Sequence, residues 1–168
     1  EKIGEVIQNT YKIFKNSEKK SFWVDVIVVD DGSKDKTSQV ARKAGAKVVV
    51  SHPYNRGLGA GTRTGMQEAY RMGADIAVKI DADNQWSPDD IEKTIQPILS
   101  NEADVVFGSR FLAGYSGYNA KQFNMVFARK WGNKIFPWIL TKLTGLKVTD
   151  ATTGLIAFGR KYLANFEI

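Results

Sequence analysis

A chain of 168 residues with 43% hydrophobic content can bury one substantial core and falls within the usual size of a single domain. It has no cysteine and one histidine, His52, so disulfides and thiolate metal centres are excluded, and any metal must be held by oxygen ligands or that imidazole, which favours hard cations. The net charge of +6 is local: Lys121, Arg129, Lys130, Lys134, Lys142 and Lys147 lie between Asn119 and Lys147 with no acid among them, the remainder is balanced, and no apolar run reaches the roughly 18 residues of a membrane span.

Ile3, Val6, Ile7, Ile13 and Phe14 recur at broadly helical intervals and predict an opening helix, followed by a polar connection. A helix directly ahead of a buried strand is an unusual beginning for an α/β domain, so a strand preceding residue 1 is expected, as is more chain beyond Ile168. Val26 to Val29 reads as a strand, Lys36 to Ala44 as a helix, Lys47 to Val50 as a strand and Ala60 to Met72 as a helix. Ile76 to Ile80 follows as a strand, then a helix opened by Ser87-Pro88-Asp89-Asp90, then a strand at Val105 to Phe107. Short β-branched runs alternating with amphipathic helices predict one α/β domain over 1–168, a mostly parallel sheet with helices on both faces.

Ligands of such sheets bind beyond the carboxyl ends of the strands. Asp81-Ala82-Asp83 leaves an apolar strand there, and two close carboxylates repel unless a divalent cation sits between them and a diphosphate; a solvated turn is the plainer alternative. Asp30-Asp31-Gly32-Ser33 follows the first strand. Gly32 suits a tight turn, Asp35 a helix N-cap, and a strand-end carboxylate can accept hydrogen bonds from a base or ribose. Arg110, in Gly108-Ser109-Arg110, suits either a bidentate phosphate contact or a structural salt bridge.

The ordered set Asp30-Asp31-Gly32-Ser33 with Asp35 and Thr37, Asn55-Arg56-Gly57-Leu58-Gly59, Asp81-Ala82-Asp83-Asn84-Gln85, Gly108-Ser109-Arg110 and Asp150-Ala151-Thr152-Thr153-Gly154 resembles glycosyltransferase family 2, near its dolichol-phosphate mannose synthase and polyprenyl-phosphate branch. The resemblance covers nearly the whole chain. It implies a GT-A (Rossmann-like) fold, donor binding by Asp30, Asp31, Gly57 and Asp81, and Mg²⁺ or Mn²⁺ held by Asp81, Asp83 and Gln85. It also implies catalytic parts for Asp83, Arg110 and Asp150, with inversion at the anomeric carbon. Two departures stand out: the family's Pro-x-x-Asn-Glu strand has no counterpart here, and Thr153-Gly154-Leu155-Ile156 lacks the arginine of the usual Gly-Phe-Arg.

The implied reaction moves a hexosyl group from a nucleotide sugar of the GDP-mannose or UDP-glucose type to a polyprenyl phosphate. Alternatives are a family member acting on a saccharide or protein hydroxyl, a nucleotidyltransferase, for which Gly57-Leu58-Gly59-Ala60-Gly61-Thr62-Arg63 is a superficial signature, and a non-catalytic nucleotide-sugar-binding domain. A phosphate acceptor is already ionised near neutral pH, so Asp150 would order the site; a hydroxyl acceptor would need it as general base. The bases of 119–147, mixed with Phe123, Phe127, Trp131, Phe136 and Trp138, suit a membrane surface, with a core-packing helix as the alternative and nucleic acid excluded for want of any binding motif. The expected location is the cytoplasmic side of a membrane, peripheral or anchored by a segment outside this chain. His52 is read as a loop residue, Trp23 and Trp86 as packing residues.

Overall fold

The computed structural model describes residues 2–16, 23–82, 86, 88–112, 127–145 and 147–166. Helix α1 (Lys2–Asn16) leads to β1 (Ile27–Asp30), α2 (Thr37–Lys43), β2 (Val48–Ser51), α3 (Leu58–Arg71) and β3 (Ile76–Ile80). Then come α4 (Pro88–Leu99), β4 (Val105–Phe107), α5 (Phe127–Thr144), β5 (Leu155–Gly159) and α6 (Arg160–Leu163), which runs into a 3-10 turn at Ala164–Phe166. Every strand and helix expected up to residue 107 is present, with ends displaced by no more than two residues.

β1 and β2 pair in parallel, Ile27 opposite Val48 and Asp30 opposite Ser51. β5 lies between β3 and β4 and is antiparallel to both, with Ile80 opposite Leu155 and Phe107 opposite Ile156. The sequence reading did not pick out β5. Its unbroken run Leu155-Ile156-Ala157-Phe158 is nonetheless what a strand buried on both faces requires, since neither face can carry polar residues.

Period-two alternation assigns the faces. On one side Ala77 and Phe158 pack with Met66 and Ala69 of α3 and Leu163 of α6. On the other, Leu155 and Ala157 meet Trp86 and Ile91 and Ile95 of α4, with Ile76, Val78 and Ile80 against them. Under β1 and β2, Val28 packs with Ile7 of α1 and Ala41 of α2. Helices therefore cover both faces, as expected. Ile7, Leu155 and Leu163 are fully buried, and truncating such a residue to alanine costs about 2–5 kcal/mol.

Trp86 is a packing residue, as read from the sequence, but Trp23 is not. It is 87% exposed, and its indole donates to Asp25 Oδ2 at 3.3 Å. Asp35 does serve the start of α2, accepting the Thr37 N–H at 2.9 Å, although the capping position by backbone geometry is Lys36. Among the described residues no helix is long and apolar enough to cross a membrane.

Candidate functional site

The carboxyl ends of β1, β2, β3 and β4 carry the residues singled out from the sequence. Because β5 runs antiparallel between β3 and β4, its amino end lies at that same edge. That direction delivers Asp150, Thr152 and Gly154 to the residues following β3 and β4.

At the end of β1, Asp30 is buried. Its Oδ1 accepts the Ser33 N–H at 2.9 Å and its Oδ2 accepts the Ser38 hydroxyl, which in turn lies 2.9 Å from Ser51 Oγ. Burial opposes its ionisation, but the hydrogen bonds from Ser33 and Ser38 outweigh it and hold the pKa below the ordinary carboxylate value. Gly32 takes φ +79°, and a Cβ there would lie 2.5 Å from the Tyr54 carbonyl carbon and 2.6 Å from the Asn55 nitrogen. Only glycine fits where these two loops cross.

Asp31 is the hub of the second loop. Oδ1 meets His52 Nδ1 at 2.6 Å and accepts the Arg56 N–H at 2.9 Å, while Oδ2 accepts the Gly57 N–H at 2.8 Å. A carboxylate cannot donate, so Nδ1 carries a ring proton, and Nε2 lies 2.9 Å from the Thr64 hydroxyl of α3. The bond from His52, then those from Arg56 and Gly57, lower the Asp31 pKa. His52 lies in the loop directly after β2, as read, and is buried there, joining the ends of β1 and β2 to α3. Its place directly after β2 was the available signal. Gly57 opens α3 at φ +89°.

At the end of β3, Asp81 is half-buried and its Oδ1 lies 2.5 Å from Lys79 Nζ. Opposite Ile80 in register is Leu155, which sets Gly154 against the carboxylate; a Cβ at 154 would lie 2.9 Å from Asp81 Cγ and nearer still to Oδ2. Asp83 and Gln85 lie outside the described residues. Among the described residues no three acidic or histidine side chains gather about one point. A hard dication suits the donor chemistry even so: Asp81 offers oxygen, it rests in the space a side chain at 154 would fill, and a cationic group is already stabilised beside it.

At the end of β4, Arg110 and Asp150 form a buried ion pair, their side chains 9% and 1% exposed. Arg110 Nε donates to Oδ2 at 2.7 Å and Nη2 to Oδ1 at 2.9 Å, a two-pronged geometry completed by the Arg110 N–H at 3.2 Å. Nη2 also reaches Thr152 O and Oγ1 at 3.1 and 2.9 Å. Burial raises the Asp150 pKa, yet the bonds and charge of Arg110 outweigh it and the net displacement is downward. Of the two readings of Arg110, the geometry contains the salt bridge.

α5 carries the carboxyl half of the basic, aromatic stretch. Ile135, Phe136, Trp138, Ile139 and Leu143 are exposed on it, beside Lys142 and Lys147; residues 113–126 lie outside the described set.

The profile of glycosyl transferase family 2 matches residues 4–166. A UDP-N-acetylglucosamine–dolichyl-phosphate N-acetylglucosaminyltransferase of Methanococcus voltae is 40% identical over 156 residues, covering 83% of this chain and 60% of the relative. An undecaprenyl-phosphate mannosyltransferase of Micrococcus luteus is 32% identical over 141 residues, covering 80% and 54%. Among solved structures, glucosyl-3-phosphoglycerate synthase from Mycobacterium tuberculosis superposes with a TM-score of 0.63 at 25% identity, over 95% of this chain and 52% of that one. The chain thus spans between 52% and 60% of the length of these relatives. The architecture is the GT-A arrangement expected from the sequence.

Proposed function

Because the chain belongs to glycosyltransferase family 2, we propose that its protein is an inverting hexosyltransferase acting on a nucleoside-diphosphate sugar and a polyprenyl phosphate, with Mg²⁺ or Mn²⁺ at the donor. Relatives named for dolichyl-phosphate and undecaprenyl-phosphate acceptors support the acceptor class, and their names differ in the sugar. The donor in this reading is of the GDP-mannose or UDP-glucose type.

The observation that carries the acceptor is the state of Asp150. A hydroxyl nucleophile needs a base near neutrality, whereas Asp150 is locked in a two-pronged pair with Arg110 and its pKa is lowered, which makes it a poor proton acceptor. A phosphate monoester arrives already ionised and needs no base. In this reading Asp150 and Arg110 set the shape of the acceptor side, holding the residues after β4 to those before β5. Asp30 and Asp31 act on the donor side by holding the loops at Ser33 and at Arg56 and Gly57, against which the nucleoside rests. Asp81, with Asp83 and Gln85, would hold the cation. When bound, that cation supplies Lewis-acid stabilisation of the charge on the departing nucleoside diphosphate.

The reading includes a further strand between β1 and β3. Among the described residues β1 pairs with β2 and β3 with β5, leaving one edge of each open, and α3 packs across both strands. It also includes the cytoplasmic face of a membrane as location, with the exposed rings of α5 and Lys142 and Lys147 at the interface.

The test is nucleoside diphosphate release by the purified protein from GDP- and UDP-sugars, with polyprenyl phosphate, with polyprenol and with saccharides. Turnover confined to the phosphate acceptor is expected, falling about 10²- to 10³-fold in Asp81→Asn, the usual scale for losing one electrostatic contact to the transition state. Equal turnover with hydroxyl acceptors would overturn the acceptor; pyrophosphate release from a nucleoside triphosphate, or sugar-nucleotide binding without turnover, would overturn the reaction class.

A further inference from the structure

Lys79 sits in a place where a lysine is costly. Alternation along β3 puts residues 77, 79 and 81 on the face covered by α3, and Ala77 there is part of the buried core. The Lys79 side chain is only 11% exposed, and its stem runs along the sheet so that the ammonium emerges at the strand end, 2.5 Å from Asp81 Oδ1. The other oxygen, Oδ2, faces the main chain at Gly154. The carboxylate thus has a cation on one side and backbone on the other, while its side chain stays 36% exposed.

We propose that Lys79 is a built-in counter-ion that competes with the divalent cation for Asp81, so that the metal binds well only together with a nucleoside diphosphate. The inference rests on the reading of Asp81 as a metal ligand. A dication coming to Asp81 must take Oδ1 from the ammonium or lie within a few ångströms of it, and either is unfavourable. A diphosphate changes the balance, because its oxygens ligate the dication and accept hydrogen bonds from the displaced ammonium. Metal and nucleotide then raise each other's affinity by the same factor, and the factor depends on Lys79. Lys79 sets the order and coupling of binding in this scheme, through its contact with Asp81 and, once displaced, with the diphosphate.

The test is Mn²⁺ titration, followed by the spin-resonance signal of free Mn²⁺, on the purified protein and on Lys79→Met, Lys79→Gln, Lys79→Arg and Asp81→Asn, without nucleotide and with GDP or UDP. Methionine keeps the length and apolar stem of lysine; glutamine is the second neutral variant should methionine perturb folding. Both neutral variants should bind Mn²⁺ alone about tenfold more tightly, the factor that accompanies removal of about 1.4 kcal/mol of like-charge repulsion. They should also lose most of the enhancement by nucleotide, while arginine retains both properties. Unchanged Mn²⁺ affinity in folded Lys79→Met or Lys79→Gln overturns the counter-ion role and leaves the proposed reaction standing. Mn²⁺ binding that survives Asp81→Asn overturns the metal reading of Asp81, and the counter-ion role with it.

Discussion

The two strand groups, β1–β2 and β3–β5–β4, treat their strand-end carboxylates differently. Beside β1 and β2, Asp30 and Asp31 accept from the Ser38 hydroxyl, His52 Nδ1 and the backbone N–H groups of Ser33, Arg56 and Gly57. In the β3–β5–β4 group, Asp81 and Asp150 are each met by a cation, Lys79 and Arg110. Backbone and hydroxyl donors fix a loop in one shape and leave the carboxylate's charge in place. Cations neutralise it, and where the carboxylate itself stays accessible one cation can be exchanged for another. The Arg110–Asp150 pair is enclosed on both sides and the Lys79–Asp81 pair only on the lysine side, so the first is a fixture and the second is exchangeable.

The largest effect should come from breaking the fixture. Asp150→Asn leaves the Arg110 guanidinium without its counter-charge in a buried position, and about 3–5 kcal/mol of stability should be lost, read from denaturant midpoints. A loss under about 1 kcal/mol, the level of an exposed pair, would erase the distinction between the two groups. Next comes the Asp31 network beside β1 and β2. His52→Ala removes bonds to Asp31 and Thr64 and should cost about 1–3 kcal/mol. It should also weaken nucleotide binding, because the Arg56–Gly57 backbone loses its anchor, and His52→Asn, which keeps a donor near the Nδ1 position, should restore part of both.

Acid should act more gently and in one direction. The folded-state pKa values of Asp30, Asp31 and Asp150 all lie below their ordinary values, so the stability these groups contribute is present in full above the ordinary aspartate value of about 3.9 and is lost as pH falls through the lowered values. Stability measured downward from pH 6 should hold until about that value and then decline, and the decline should be shallower in Arg110→Met. An unchanged acid limb in that variant would assign the decline to the β1–β2 group alone. The smallest change in stability belongs to α5: Phe136→Ser with Trp138→Ser should shift it by no more than about 0.5 kcal/mol, since both rings are exposed, while abolishing co-sedimentation with anionic phospholipid vesicles. Retained vesicle binding would move the membrane contact elsewhere, and a large loss of stability would mean that α5 is a packing surface.

Much of this arrangement is legible without coordinates. The apolar runs at 26–29, 47–50, 76–80 and 105–107 announce strands because a buried strand can tolerate little else, and the acids that follow two of them fall at the ligand edge by the handedness of α/β connections. The role of His52 was not legible, since Asp31, which holds it, lies 21 residues away. Lys79 was legible in principle, since residues two apart on a strand share a face and Asp81 follows it by two. Trp23 was misread, as hydrophobic character does not report whether anything comes to cover it.

The amino-acid sequence alone determined the alternation of elements, the two acidic strand ends and the family they resemble, because periodicity and strand-end chemistry are local properties. Tertiary structure alone decided the partners. β5 enters antiparallel between β3 and β4, and that one choice of direction carries residues 150–154 to the far side of Asp81 and Arg110. The pairing spans 40 residues for Arg110 with Asp150 and 73 positions from Asp81 to Gly154, separations at which no local pattern constrains geometry and only burial of the shared sheet does.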